Sequence, residues 1–446
     1  MLQNYYKKYW LFIRNVIFLS RTKEQYWERC RKNGGITLAI GDIVVGIDIG
    51  TSKVCAVVGE VNSFNQVEII STTEAICSGI KKCKIMDSDN IANAIRNVIN
   101  EAQDILEMKI NSAYINIPGQ YLTIVQNSIT VEAKDKYAGI LTKDVLNGIN
   151  TVKDIDVPED KVLIDLVPDE FVLDNGKIVE DPTGSLSTNF TLKAQVILAD
   201  KVYVKELSML MKKAGLEIDG IISNVLAQRN LVLDANEFTD NVMIMDIGAG
   251  NTDIGVFEGN SYIYANTIPL GGSTITSDIS LVLDISEEEA EKLKKQYGLA
   301  LKSFIDNDID ISLNTYKGDD ILKTIKSFEL IEIIEARIEE IFSIVNKDIT
   351  AQNIKQKINN VIITGLGLSN INKSDIAGKI ILNIPVKNST ARLTSTIKPV
   401  YNAACGVVRY VASRPFARTV SSNVFVKNDR HILKSAIDKI KDFFYS

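Results

Sequence analysis

Apolar positions along this chain gather into short runs separated by glycine-rich or polar turns. The first clear pair lies in IVVGIDIGTSKVCAVVGE, Ile43 to Glu60. An apolar run ends in Asp48, a turn of Gly50, Thr51, Ser52 and Lys53 follows, and a second run extends from Val54 to Val58. Two strands joined by a tight turn are predicted. VMIMDIGAGNTDIGVF, Val242 to Phe257, repeats the pattern, with Asp246 at the strand end and a Gly248-Ala249-Gly250-Asn251-Thr252 turn. Two copies about 200 residues apart predict a duplicated domain.

Other elements follow from periodicity. Val67 to Thr73 and Ala113 to Ile117 read as strands. From Ile91 to Met108, a helix places Ile91, Ala94, Ile95, Val98, Ile99 and Ala102 on one face, with Asp87 or Ser88 as its cap. The segment from about Gly119 to Leu198 carries strands at Leu122–Val131, Lys161–Leu166 and Phe190–Leu198 and a polar helix at Thr142–Thr151. Val202 to Ala214 is an amphipathic helix stopped by Gly215, Ile218 to Ile222 a strand, and Val225 to Leu233 a helix linking two lobes. In the second half, Ser286 caps a charged helix to Tyr297, Phe328 to Val345 is a long helix, Val361 to Thr364 a strand and Ala403 to Ala412 a last lobe helix. Arg414 to Asp429 reads as a polar linker. RHILKSAIDKIKDFFYS, residues 430–446, places its Ile, Leu, Ala and Phe residues within an arc of about 140° on a helix, with lysines at the border.

Composition narrows the field. A chain of 446 residues exceeds one comfortable core. Its net charge of −6 provides no whole-molecule basic field for nucleic acid. The five cysteines have no CxxC spacing and read as reduced thiols, and the only histidine, His431, excludes a histidine base or a His/Cys zinc site from the core. No apolar run reaches the ~18 residues of a membrane span. Gly176-Lys177 and Gly378-Lys379 are each followed by Ile, which excludes a Walker-type loop. Residues 1–41 carry eight Lys/Arg against Glu24 and Glu28 and read as a disordered extension or a basic membrane-surface segment.

The turns of the repeated hairpins carry the chemistry. Gly50 lets backbone approach a ligand, and the amides of Thr51, Ser52 and Lys53, with two hydroxyls and an ammonium, suit a phosphate. Either copy alone reads equally as an ordinary hairpin. Together, facing each other, they would hold a nucleotide's phosphates and a hydrated cation. Mg²⁺ keeps several waters and takes few carboxylates, which fits Asp48 and Asp246 as the metal pair.

On these motifs the chain resembles the actin-like ATPase superfamily, and within it the FtsA family of bacterial cell-division proteins. The first hairpin resembles the phosphate-1 motif, the second phosphate-2, and VIITGLGLSNI, Val361 to Ile371, the adenosine motif. EDPTGSLSTNFTLKAQVILAD and ANTIPLGGSTITSDIS extend the likeness beyond the nucleotide motifs. The resemblance implies an α/β fold, actin-like (ribonuclease H-like), duplicated and two-lobed, with a nucleotide cleft and an inserted subdomain 1C. It implies Gly365, Leu366 and Gly367 at the base, and Glu291 and Lys294 at the ribose and base. It also implies ATP and Mg²⁺ as cofactors. Gln228 and Asp246 are the candidate catalytic residues, with Asn224 and Asp253 beside them, and at most weak ATPase activity is expected. The chain departs from the family at Asn251, where threonine is usual, and at Leu366, which interrupts consecutive glycines.

The expected domains are an extension at 1–41, lobe 1A at 42–118 plus 199–238, subdomain 1C at 119–198, lobe 2A at 239–272 plus 350–413, subdomain 2B at 273–349, a linker at 414–429 and a membrane-targeting helix at 430–446. The resemblance implies a peripheral protein on the cytoplasmic face of the cell membrane at the division site. Its expected partners are FtsZ, copies of itself in filaments, the anionic membrane surface and other divisome proteins, with no nucleic acid. The alternatives of the same fold are a pilus-assembly actin-like ATPase, a sugar or acetate kinase and a chaperone-type ATPase.

Overall fold

The computed structural model describes residues 41–62, 66–135, 137–234, 237–313, 323–389 and 397–413. The basic segment 1–40 and the linker and amphipathic segment 414–446 lie outside the described residues.

The chain opens with an antiparallel meander of β1 (Ile43–Ile49), β2 (Lys53–Val61) and β3 (Val67–Ile76). Helix α1 (Ser88–Leu106) begins at Asp87, whose side chain accepts from the amides of Asp89 and Asn90, so Asp87 and not Ser88 is the cap. Its apolar stripe is buried as the periodicity predicts, with Ala92 added. Strand β4 (Ser112–Ile117) follows. The insertion then provides β5 (Leu122–Glu132), α2 (Thr142–Thr151), β6 (Lys161–Leu173) and β7 (Asn189–Asp200). β6 runs well past the expected end at Leu166: beyond Pro168 it continues pairing with β7 through register shifts. Helix α3 (Lys201–Ala214), β8 (Glu217–Ser223) and α4 (Asn224–Val232) return the chain to the first lobe.

The second lobe repeats the plan. β9 (Asn241–Ile247), β10 (Thr252–Glu258) and β11 (Ser261–Ile268) form a meander, followed by α5 (Gly272–Leu283), α6 (Glu287–Tyr297) and α7 (Ser327–Ala351). Then come β12 (Asn360–Thr364), α8 (Ser374–Leu382) and β13 (Val386–Asn388), after which α9 (Asn402–Ser413) returns to the first lobe and packs on its sheet, where a Cβ on Gly46 would lie 2.8 Å from the Ala404 carbonyl. Ser286 caps α6 through the Glu289 amide at 3.1 Å.

Sheet order demonstrates the duplication. The first lobe reads β3-β2-β1-β4-β8 and the second β11-β10-β9-β12-β13. In both, the first three strands are antiparallel and the last two run parallel to the first. Central strands covered on both faces read as continuous apolar runs, and Val54 to Val58 is buried throughout. The insertion is a separate antiparallel sheet, β5-β7-β6 with Ile178–Val179 at its edge. It has its own core of Phe190, Leu192, Ile140 and Ile149 beneath α2. Helix α4 is buried along most of its length, as a helix between two lobes must be.

Candidate functional site

The two repeated hairpins meet at one cleft of about 730 Å³. Their turns close alike. Gly50 N donates to the Lys53 carbonyl at 2.9 Å, and Gly248 N to the Asn251 carbonyl at 2.9 Å. Their tips touch across the lobes, where Thr51 Oγ1 donates to Asn251 Oδ1 at 3.2 Å. A Cβ at Gly250 would lie 2.6 Å from Thr51 Cγ2, so only glycine permits this approach. Asp48, Gly50, Thr51, Ser52, Lys53, Asp246, Gly248, Ala249 and Asn251 all line the cleft.

Three carboxylates form its floor. Asn116, at the end of β4, donates through Nδ2 to Asp48 Oδ1 at 2.6 Å and to Asn224 Oδ1 at 3.0 Å. Asn224 Nδ2 donates to Asp246 Oδ2 and Asp253 Oδ2, each at 2.8 Å. Gln228, one turn along α4 from Asn224, donates to Asp246 Oδ2 at 2.6 Å. A chain of amides thus runs from the first lobe's carboxylate to the second lobe's pair. Burial pushes the Asp48 carboxyl up to about 7, Asp246 and Asp253 add to the rise, and the Asn116 bond opposes it. Burial also pushes Asp253 up to about 6, and raises Asp246.

Among the described residues the donors to these carboxylates are neutral: Asn116, Asn224, Gln228, Asn251, the Thr267 hydroxyl and the Gly119 amide. Negative groups drawn into a cleft and held by neutral donors fit a bound cation, whose charge would replace lost solvation. Among the described residues, no group of three His, Cys, Asp or Glu is placed to grip an ion directly. The donor set therefore fits a hydrated Mg²⁺, reached through water.

The other expected site residues divide. Gly365, at φ +85°, packs so closely that a Cβ would strike Asp246 Oδ1 and the Ile247 carbonyl. Gly367 N donates to that carbonyl at 2.7 Å. Leu366 is 45% exposed and lines the cleft beside Ser369, Asn370 and Ile371. Glu291 lines it too, accepting from Thr276 Oγ1 at 2.5 Å and from Lys294 Nζ at 2.6 Å. Lys294 is nearly buried and also donates to the Gly272 carbonyl at 3.0 Å. Its ammonium is thus held by protein groups at the wall. Lys53 pairs with Glu74 at 2.5 Å across β2 and β3. Thr252 requires a correction: it is fully buried and its hydroxyl donates to the Leu270 carbonyl at 2.9 Å. Strand alternation turns it away from the face that Asp253 presents. Asn116, which lies in no motif, was missed. Only its place at the end of an apolar strand signals it.

Strand register explains Asp253. Thr364, Asp246, Asp253 and Thr267 sit directly opposite one another across β12, β9, β10 and β11. The equivalent row of the first lobe is Asp48, Cys55 and Glu74.

The duplicated sheets and the shared cleft define an actin-like two-lobed protein. Solved structures agree on the fold. The PilM-PilN type IV pilus biogenesis complex matches with a TM-score of 0.53 at 15% identity, covering 83% of this chain and 99% of that one. MreB5 of Spiroplasma citri bound to ADP matches with a TM-score of 0.51 at 13% identity, covering 83% and 97%. The family model described as Cell division protein FtsA matches residues 243–406, and that of the SHS2 domain inserted in FTSA matches residues 119–198. Cell division protein FtsA of Bacillus subtilis is 30% identical over 324 residues, 73% of each chain. The Pseudomonas aeruginosa protein of that name is 27% identical over 376 residues, 83% of this chain and 89% of the relative. The chain belongs to the FtsA family of cell-division proteins.

Proposed function

We propose that this chain binds ATP with Mg²⁺ between its hairpins, polymerises, and ties the FtsZ ring to the cytoplasmic face of the membrane at the division site, where it helps recruit later division proteins. The observation that carries the reading is the cleft itself, in a chain of this family. Two equivalent glycine turns face each other over three carboxylates, Asp253 buried and Asp48 and Asp246 half-buried, which among the described residues have only neutral hydrogen-bond donors. In this reading, the amides and hydroxyls of Thr51 and Ser52 and the Gly248–Asn251 turn hold the phosphates. Asp48 and Asp246 hold waters of the ion, and Gln228, fixed against Asp246, orients a water for slow hydrolysis. Leu366, Glu291 and the Gly365–Gly367 turn border the base and ribose. Insertion 119–198 is a polymer contact with the next subunit's second lobe, and segment 430–446 is the membrane anchor.

The test is co-sedimentation with anionic liposomes and purified FtsZ, with and without ATP. The expected result is FtsZ recovered with the vesicles only when this chain is present, with ATP increasing the yield. FtsZ left in the supernatant under every condition would overturn the tether.

A further inference from the structure

The root of the insertion rests on the far lobe, against the row of residues that leads out of the cleft. Gly119, the first residue of the insertion, donates its amide to Asp253 Oδ1 at 3.2 Å. Gln120 donates its amide to Thr267 Oγ1 at 3.1 Å, and that hydroxyl in turn donates to Asp253. The fit is tight: a Cβ on Gly119 would lie 2.6 Å from the Asn266 carbonyl oxygen. Farther along the same face, Ser261 of β11 donates to Asp169 of β6. A second attachment joins the insertion to the first lobe, where Tyr410 of α9 donates to the buried Asp165 of β6 at 2.5 Å. One small sheet is thus bonded to both lobes, and one of its bonds goes to a carboxylate of the cleft floor.

We propose that the insertion is a lever worked by the cleft, with Asp253 and Thr267 transmitting the separation of the lobes to the Gly119–Gln120 root. This rests on the reading of the cleft as a nucleotide site. The physical argument is geometric. The insertion shares its stem with the first lobe through β4 and α3 but takes its lateral support from β11 of the second. A shift of one lobe against the other therefore rotates the insertion about its stem. Asp253 belongs to both sites, because Asn224 ties it to Asp246 on one side and the Gly119 amide ties it to the root on the other. A two-state element biased from both ends is what coupling between sites requires.

The experiment places spin labels at Leu186→Cys on the insertion and Ile380→Cys on the second lobe, both exposed. Cys30 is replaced by Ser, and the other four cysteines are buried. Pulsed dipolar spectroscopy reads the distance with and without Mg·ATP, and calorimetry on the same samples reads ATP affinity. Gln120→Pro removes the amide that donates to Thr267, and a second variant combines it with Ser261→Ala, which removes the bond to Asp169. Neither Gln120 nor Ser261 bonds a carboxylate of the cleft floor. The expected result is a nucleotide-dependent distance shift in the unsubstituted chain that is lost in both variants, with ATP affinity within about threefold. Variants that shift like the parent, or a parent that binds ATP with no shift, overturn the lever alone. A parent that binds no ATP overturns the nucleotide reading and the lever with it.

Discussion

At the residue scale, the cleft floor sets a pH dependence whose sign can be worked out. Asp48 is held near 7, above its ordinary 3.8. Between those values the folded chain binds more protons than the unfolded one, so stability falls as pH rises through the window. Below pH 3.8 the contribution is fully present; above about 7 it is lost. Asp48→Asn retains an oxygen for Asn116 and removes the charge. In thermal unfolding without nucleotide, this variant should therefore be more stable than the parent at pH 8, with the gain shrinking toward pH 4. An equal gain at both pH values would mean that burial does not hold the carboxyl up. Asp246→Ala should behave differently with ligand. Losing a carboxylate that holds the waters of an ion costs about 10–100-fold in affinity, and calorimetry should show that loss for ATP with Mg²⁺. Parental affinity in that variant would remove Asp246 from the site. Most of the floor was readable from residue type and position: Asp48 and Asp246 end apolar strands before glycine turns. Thr252 misled because a motif reads as a string, whereas a strand shows alternate residues to opposite faces.

At the scale of elements, the insertion is the most separable part. Its sheet has its own core, its two ends meet the first lobe as β4 and α3, and its family model spans residues 119–198. Replacing that span with a short flexible linker should leave a folded, soluble core that still binds ATP but forms no filaments by electron microscopy. Filaments of unchanged spacing would assign the contact to another surface. Periodicity revealed the insertion's strands and helix, as well as the buried stripe of α1, because alternation and the 3.6-residue repeat are written locally. It did not reveal α5 or α8. Helix α5 begins on Gly272, whose amide donates to Gly248 at 2.9 Å, and its terminus is held by the facing turn, with no side-chain cap of its own. Such an end leaves no local mark.

At the scale of the whole molecule, the family and the tail bear on where the protein works. Among the described residues no helix is long and apolar enough to cross a membrane. The anchor proposed for segment 430–446 would be reversible, because each basic residue near an anionic surface adds only about 1 kcal/mol. Polymerisation would make it firm through avidity. Phe443→Glu with Phe444→Glu should abolish flotation with anionic liposomes and leave ATP and FtsZ binding in solution intact. A double variant that still floats would shift the anchor to the basic segment 1–40. The sequence by itself determined the duplicated hairpins, the lobe count, the place of the insertion and the absence of histidine or Walker chemistry. These depend on local pattern and inventory. Only the tertiary structure decided which groups meet: Asn116 between Asp48 and Asn224, Asp253 opposite Asp246, Thr51 against Gly250, and the insertion's root on Asn266. Each joins residues from separate strands or from opposite lobes. Strand register and lobe packing set such contacts, and those arise from the burial of whole sheets and not from any single stretch of chain.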